Sequence, residues 1–243
     1  MSKMILYKYR TFDNWKYFVD IIENERLYAA KYNELNDPME GHYRSVGLTD
    51  EQINTLLKTK MDENICSLSL CNKDIGLWVF YAKEGRGCCI EVELDMADMY
   101  NTVDRWHIKP VDYRDDLPEI NIYDIEDYGN VKNILYSKLA RWQGEREYRC
   151  TKYSDKYMPV KIKRITLGYN VEESNKTLVN AYVDSVNRKR FDKIIVDQID
   201  KEQLAQMWCK CSKVEDCIKC RENGICPMEQ STFNVMSAPP SLF

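Results

Sequence analysis

The sequence lacks the features that mark membrane, secreted and classical nucleotide-binding proteins. No apolar run approaches the roughly 20 residues that a bilayer-spanning helix needs, and the first residues contain no signal-peptide core. No Gly-x-Gly-x-x-Gly or Walker loop occurs, which argues against a Rossmann or P-loop mode of nucleotide binding. We therefore expect a soluble protein of the cytoplasm that contacts no membrane, in a compartment where thiols stay reduced.

The sequence also has few histidines and no net positive charge. The chain has two histidines, His42 and His107, and neither has sequence neighbours that suggest a Cys–His pair. A histidine triad or a multi-histidine metal centre is therefore poorly supported. The net charge of -4 does not indicate a surface built to bind nucleic acid.

The chain does have the length and apolar content for one sizeable core. It has 243 residues, of which 44% are hydrophobic. Short strand-like runs alternate irregularly with helical stretches, which predicts an α+β fold: mixed, with mainly antiparallel short strands and interspersed helices. We divide the chain into an α+β body at residues 1–205, a cysteine-rich metal-binding appendage at 206–230 and a flexible tail at 231–243.

Residue periodicity predicts the elements of the body. The predicted strands are 4–10, 26–30, 64–70, 88–94, 108–114, 146–152, 161–167 and 191–196. The predicted helices are 14–24, 49–60, 77–82, 131–139 and 171–187, and the acidic stretch 115–130 is predicted to be a loop. Thr49 and Gln52 have the spacing of a capping box. We expect strands 4–10, 161–167 and 191–196 to share one sheet.

Half of the ten cysteines lie between residues 209 and 226. These five candidate metal ligands are Cys209, Cys211, Cys217, Cys220 and Cys226. The Cys217-x-x-Cys220 spacing lets two thiolates converge on one ion, and four thiolates favour tetrahedral zinc. An iron–sulfur cluster uses the same ligands, and a tail of free or redox-active thiols is the remaining alternative.

The other five cysteines are scattered along predicted strands. They are residues 66, 71, 88, 89 and 150. We expect them to be small buried hydrophobic side chains.

Four segments of the body stand out together. They read Leu-Tyr-Lys-Tyr-Arg at 6–10, Asn-Asp-Pro-Met-Glu at 36–40, Trp-Val-Phe-Tyr-Ala at 78–82 and Trp-Gln-Gly-Glu-Arg-Glu-Tyr-Arg at 142–149. In this order they resemble the bacterial family of domain of unknown function 2971, over roughly residues 5–200. Phe80 stands where that family usually has histidine, and Gly144 also departs from the common pattern.

The order of these segments is similar to that in ADP-ribosyltransferases. The resemblance implies that Glu147 contacts the nicotinamide ribose and stabilises the cationic transition state as nicotinamide leaves. It also implies that Arg10 or Tyr9 holds the NAD dinucleotide and that Tyr28 or Tyr81 stacks on nicotinamide.

The residues themselves allow a second argument for the same region. If 145–149 is extended, Glu145, Glu147 and Arg149 share one face. Two carboxylates beside an arginine could form an acid/base site with separated pKa values. The alternative for 145–149 is a solvated, salt-bridged strand face. Arg10, at the end of its strand, could likewise simply pair with Glu40 or Glu147.

The aromatic and turn residues also have two interpretations. Trp78 and Tyr81, three residues apart on a helix, form either part of the core or a stacking surface for a cofactor. Asn36 and Asp37, before Pro38, form a tight turn that could also be a ligand-binding loop.

Three function classes follow. The first is an ADP-ribosyltransferase-like enzyme that uses NAD on a macromolecular target, in bacterial stress or phage defence. The second is a non-catalytic binding or regulatory module with a structural zinc tail, and the third is a metal-dependent hydrolase. A cleft that joins Arg10, Tyr28, Tyr81 and Glu147 would favour the first class.

Overall fold

The computed structural model describes residues 3–96, 105–125, 128–153 and 155–205. The strands are β1 Lys3–Arg10, β2 Arg26–Tyr28, β3 Arg44–Val46, β4 Asn64–Ser69, β5 Cys88–Asp95, β6 His107–Pro110, β7 Asp112–Arg114, β8 Glu119–Asn121, β9 Ser137–Leu139, β10 Glu147–Lys152, β11 Tyr157–Pro159, β12 Lys161–Leu167 and β13 Ile195–Gln198. The α-helices are α1 Trp15–Asn24, α2 Asp50–Asp62, α3 Ile75–Tyr81, α4 Ile122–Ile125, α5 Tyr128–Leu135, α6 Glu173–Asn187 and α7 Lys201–Ala205, and the 3-10 helices are η1 Tyr32–Glu34 and η2 Ala140–Glu145. The appendage at 206–230 and the tail at 231–243 lie outside the described residues.

A seven-stranded sheet forms the centre of the fold, in the order β13-β12-β5-β1-β4-β10-β6. Its pairings are antiparallel except the parallel pair of β12 and β13. The predicted mixed, mainly antiparallel fold is therefore confirmed. The prediction that 4–10, 161–167 and the last strand share one sheet is also confirmed.

The last strand begins at Ile195, four residues later than predicted. The side chain of Asn187 bonds to both the N–H and the carbonyl of Ile194, at 2.8 and 2.9 Å. These bonds close the polar segment 188–193 as a loop, and Phe191 within it is fully exposed. A local apolar pattern could not show this closure.

The sheet opens between β1 and β4. Strand β1 pairs with β5 over all eight of its residues, but within the described chain it pairs with β4 at one position, Tyr7 opposite Ser69. At the other end of β4, Ile65 pairs instead with Ala30, through backbone bonds of 2.7 and 2.9 Å. The strand edge between these two contacts faces a gap.

Three sequence predictions are wrong. The acidic stretch 115–130 is not a loop, since it contains β8, α4 and the start of α5. Ile120 in this stretch is buried and packs with Leu56 and Ile134, and this packing orders a stretch whose local sequence is polar. The predicted strand 108–114 is split into β6 and β7, and the predicted helix 131–139 ends at Leu135 before β9.

Two helix starts follow the capping rules. Thr49 and Gln52 form the predicted capping box, in which the Thr49 hydroxyl accepts from the Gln52 N–H at 3.3 Å. Helix α3 starts after Asp74, whose carboxylate accepts from the Leu77 N–H at 3.0 Å. Within the described ranges, no helix combines the length and the apolarity that crossing a membrane requires.

The scattered cysteines are free thiols. Cys66, Cys88, Cys89 and Cys150 are buried, whereas Cys71 is half-buried. Their prediction as small buried hydrophobic residues is confirmed for these four.

Candidate functional site

A cavity of about 390 Å³ lies at the opening between β1 and β4. Its walls come from these two strands, α1, the segment 34–40, α3, η2 and the first residue of β10. The volume falls within the range of small-molecule sites. The gap in the strand pairing therefore opens into a concave surface of the described body.

The cavity brings together eight of the nine candidate catalytic and ligand-binding residues predicted from sequence. They are Tyr9, Arg10, Tyr28, Asn36, Asp37, Tyr81, Glu145 and Glu147. Trp78 does not line it: the side chain is fully buried, its ring meets Tyr9 edge-on at 5.2 Å, and Nε1 donates to the Asn72 carbonyl at 3.0 Å. Trp78 is part of the core, as in the simpler of its two interpretations.

Glu147 opens β10 and is held by two cations. Its Oε1 accepts from Arg149 Nε at 2.8 Å, and its Oε2 lies 3.2 Å from Arg149 Nη2 and 3.3 Å from Lys138 Nζ. Burial by itself would raise the pKa of Glu147, but the charges of Arg149 and Lys138 outweigh it and lower the pKa to about 2. The carboxylate is 5% exposed and ionised at neutral pH.

Glu145 lies close to Glu147, but not because the two residues share a strand face as predicted. It ends η2, and Arg146 then adopts a left-handed conformation (φ 47°) before the strand begins, so 145–149 is not extended throughout. Glu145 accepts from Tyr81 Oη at 2.7 Å and from Lys138 Nζ at 2.6 Å. Lys138, not a shared strand face, brings the two carboxylates together.

Glu40 and Lys138 are site residues that sequence reasoning missed. Glu40 Oε1 accepts from Arg149 Nη2 at 2.6 Å and lies 3.4 Å from Lys138 Nζ. Burial and the nearby charge of Glu147 raise the pKa of Glu40, against the effect of Arg149. The position of Glu40 in the Asn-Asp-Pro-Met-Glu segment was the available signal, whereas Lys138 lay within a predicted helix and gave none.

Lys8 and Arg10 form the cationic wall of the cavity. They alternate along β1 with Tyr7 and Tyr9 and so share one face. Lys8 Nζ crosses the gap to donate to the Ser67 carbonyl at 2.8 Å, and burial lowers its pKa. Arg10 Nε is buried without a hydrogen-bond partner among the described residues, so the predicted alternative of a pair with Glu40 or Glu147 is not formed.

The mouth of the cavity carries exposed aromatic side chains. Phe80 is 68% exposed, and Tyr17 and Tyr28 also retain large exposed fractions. Solvent-exposed aromatic faces at a cavity entrance suit planar ring systems.

The Asn36-Asp37 segment is a turn that also lines the cavity. Asp37 Oδ1 accepts from the Met39 N–H at 3.0 Å, and the Asp37 carbonyl accepts from the Glu40 N–H at 3.0 Å. These bonds fix the backbone that presents Glu40. Both interpretations of the segment are therefore compatible with its geometry.

The metal predictions fall on residues that are not described. Cys209, Cys211, Cys217, Cys220 and Cys226 all lie beyond residue 205, so zinc and an iron–sulfur cluster stay predictions. Within the described chain, no group of three or more His, Cys, Asp or Glu side chains is arranged to hold a metal ion.

Comparison with known proteins found no match among protein families, curated proteins or solved structures. The resemblances to the family of domain of unknown function 2971 and to ADP-ribosyltransferases therefore stay predictions.

Proposed function

We propose that the chain is an ADP-ribosyltransferase-like enzyme that uses NAD. One observation carries the proposal: a single cavity joins Arg10, whose buried Nε has no hydrogen-bond partner in the described part of the chain, to the buried carboxylate of Glu147. Tyr28 and Tyr81 line the same cavity. Anion-binding, charge-stabilising and aromatic groups thus lie within reach of one dinucleotide-type ligand.

The cationic wall supplies the binding of the phosphates. A pyrophosphate can accept hydrogen bonds from Arg10, whose Nε has no hydrogen-bond partner among the described residues, because guanidinium groups bind phosphate through paired N–H donors. Lys8 is fixed by Ser67, so its charge is held at the gap.

The charged residues at the floor of the cavity stabilise the transition state. Three carboxylates, Glu40, Glu145 and Glu147, face two cations, Lys138 and Arg149. If all are ionised, the floor keeps one excess negative charge. A fixed negative group of this kind stabilises positive charge that develops in a transition state.

The reaction breaks the bond between C1′ of the ribose and the nicotinamide nitrogen, and the electron pair leaves with nicotinamide. The cation that develops at C1′ lies against the floor, and Glu147 is its stabilising carboxylate. An O–H or N–H group of the target then bonds to C1′ and loses its proton. The products are nicotinamide, the ADP-ribosylated target and a proton.

The aromatic mouth fits the planar parts of the ligand. The exposed faces of Tyr28 and Phe80 can stack on adenine or on the nicotinamide ring, which is cationic before cleavage. Activity against a macromolecular target in bacterial stress or phage defence belongs to this proposal.

A non-catalytic binding module is the second candidate, and one observation favours it. Each oxygen of Glu145 and Glu147 already has a hydrogen-bond partner within the protein. Such a saturated cluster could hold a ligand without turning it over.

The test is to incubate the full chain with NAD and cell extract and to measure free nicotinamide and ADP-ribosylated products by mass spectrometry. We expect both products with the wild type, and neither above background with Glu147→Gln. Glu63→Gln is the matched control, because Glu63 is another buried, ion-paired carboxylate, held by Lys132 at 2.9 Å, that does not line the cavity. NAD bound but not consumed would favour the binding module, and no interaction with NAD would contradict the proposal.

A further inference from the structure

Of the six carboxylate oxygens of Glu40, Glu145 and Glu147, one differs from the others in its hydrogen bonding. Both oxygens of Glu145 and of Glu147 accept hydrogen bonds, and Glu40 Oε1 accepts from Arg149. Glu40 Oε2 is buried and has no hydrogen-bond partner among the described residues. Glu40 lines the cavity and is 7% exposed. An unpaired buried acceptor is costly, so its presence calls for an explanation.

The fold keeps this oxygen in place. The Asp37 carbonyl fixes the Glu40 N–H at 3.0 Å, and Arg149 Nη2 fixes the other carboxylate oxygen at 2.6 Å. Glu40 therefore cannot rotate to satisfy Oε2 without releasing Arg149. The oxygen is held ready for a donor that comes from outside the protein.

We propose that Glu40 is a specificity-determining residue whose Oε2 accepts a hydrogen bond from the carboxamide N–H of nicotinamide. This inference rests on the proposed use of NAD. The carboxamide is an uncharged donor on a cationic ring. When Glu40, Glu145 and Glu147 are all ionised, their charge exceeds that of Lys138 and Arg149 and attracts this ring. Arg10, which lines the same cavity, takes the phosphate of the same ligand.

The assignment predicts discrimination between an amide and an acid. A ligand with nicotinic acid in place of nicotinamide brings a carboxylate against Glu40, which adds like-charge repulsion and loses the donor. Sites built to bond a substrate N–H reject analogues that lack it strongly. We expect the wild type to prefer the amide by on the order of 10²-fold, the affinity that one hydrogen bond to a buried charged group typically contributes.

The experiment measures binding of nicotinamide mononucleotide and nicotinic acid mononucleotide by calorimetry. The proteins are the wild-type full chain, Glu40→Gln and the control Glu63→Gln. The wild type and the control should prefer the amide, whereas Glu40→Gln should lose or reverse the preference, because the glutamine amide can donate to a carboxylate. An unchanged preference in a folded Glu40→Gln would overturn the assignment.

The wild type alone also decides the question if Glu40→Gln fails to fold. Equal affinity for the two mononucleotides would refute the role of Glu40 and leave NAD use intact. If the wild type binds neither mononucleotide and does not bind NAD, the proposed function fails and the assignment of Glu40 fails with it.

Discussion

Arg149 and Lys138 are the residues on which the cavity floor depends. Arg149 is almost fully buried, at 1% exposure, and bonds to Glu40, Glu147 and the carbonyl of Leu135. Removing one member of such a buried group leaves an uncompensated charge, which typically costs about 3–5 kcal/mol. The residues proposed for function therefore also contribute to stability.

Glu147→Gln should lower turnover by on the order of 10²–10³, the cost of losing one preorganised electrostatic contact. The variant should also lose roughly 3 kcal/mol of unfolding free energy, because Arg149 and Lys138 lose a shared partner. Nicotinamide release and urea denaturation measure the two effects. Glu63→Gln should lose stability and keep turnover, and a Glu147→Gln protein with wild-type turnover would contradict the role of this carboxylate.

Arg10→Gln should weaken NAD binding by about 10-fold or more, since one charge-assisted contact to phosphate is worth roughly 1.5–3 kcal/mol. Its unfolding free energy should change little, because Nε has no hydrogen-bond partner in the described fold. Calorimetry with NAD and thermal unfolding measure these effects. The exposed Arg188→Gln is the control, and equal NAD affinity in both variants would remove Arg10 from the site.

Lys60 is a buried lysine that a carbonyl and two aromatic rings surround. Its Nζ donates to the Gly41 carbonyl at 2.6 Å and lies 4.6 Å and 4.8 Å from the ring centres of Tyr32 and Tyr43. Burial lowers its pKa from 10.5 to about 8. Tyr32 and Tyr43 are the titratable groups that face it.

The lowered pKa of Lys60 predicts a pH dependence of stability. Between pH 8 and 10.5 the unfolded chain binds more protons than the folded chain, so the unfolding free energy rises with pH across this window. Relative to Lys60→Met, the wild type should gain on the order of 3 kcal/mol between pH 7 and 10.5, as measured by urea denaturation. Lys58→Met, an exposed substitution in the same helix, should show no such difference, and parallel pH profiles for wild type and Lys60→Met would disprove the effect.

At the scale of elements, the sequence predicted the helices and strands whose own residues carry a recognisable periodicity or capping pattern. Strand β5 alternates buried and half-buried residues along Glu91–Asp95, and α2 has its capping box in the sequence. The three residues of β3 are all exposed, and its partner β8 is equally short. These strands exist because of a pairing partner distant in sequence, which no local period reveals.

Thr49→Ala should lower the unfolding free energy by about 1 kcal/mol, the usual cost of removing a helix N-cap. Chemical denaturation measures the change. Thr55→Ala in the middle of the same helix removes only a bond to the Glu51 carbonyl and replaces threonine by a better helix former. It should be neutral or stabilising, so a larger loss from Thr55→Ala than from Thr49→Ala would contradict this account of the helix start.

The candidate site also combines residues that local sequence reveals with contacts that depend on residues distant in the chain. Arg10, Glu145 and Glu147 could be selected from sequence because they lie in recognisable segments. Glu40 and Arg149 are 109 residues apart in the chain and meet only in the fold. The cavity itself results from the opening between β1 and β4, which depends on the register of several strands at once.

At the scale of the whole molecule, the cysteine-rich segment is predicted to be an appendage to a body with its own core. Native mass spectrometry of the full chain should show about one metal ion per chain, mainly zinc. Cys220→Ser should lower the metal content and leave the unfolding transition of the body unchanged. Metal-free protein with freely alkylated Cys217 and Cys220 would rule out the metal site, and loss of the body's transition in Cys220→Ser would contradict the division at residue 205.

The most direct test of the central claim is a crystal structure of the full chain with a non-hydrolysable NAD analogue. We expect the ligand in the cavity between β1 and β4, with its pyrophosphate at Arg10 and its nicotinamide ribose at Glu147. A ligand bound elsewhere on the chain, or no binding at millimolar concentration, would contradict the account.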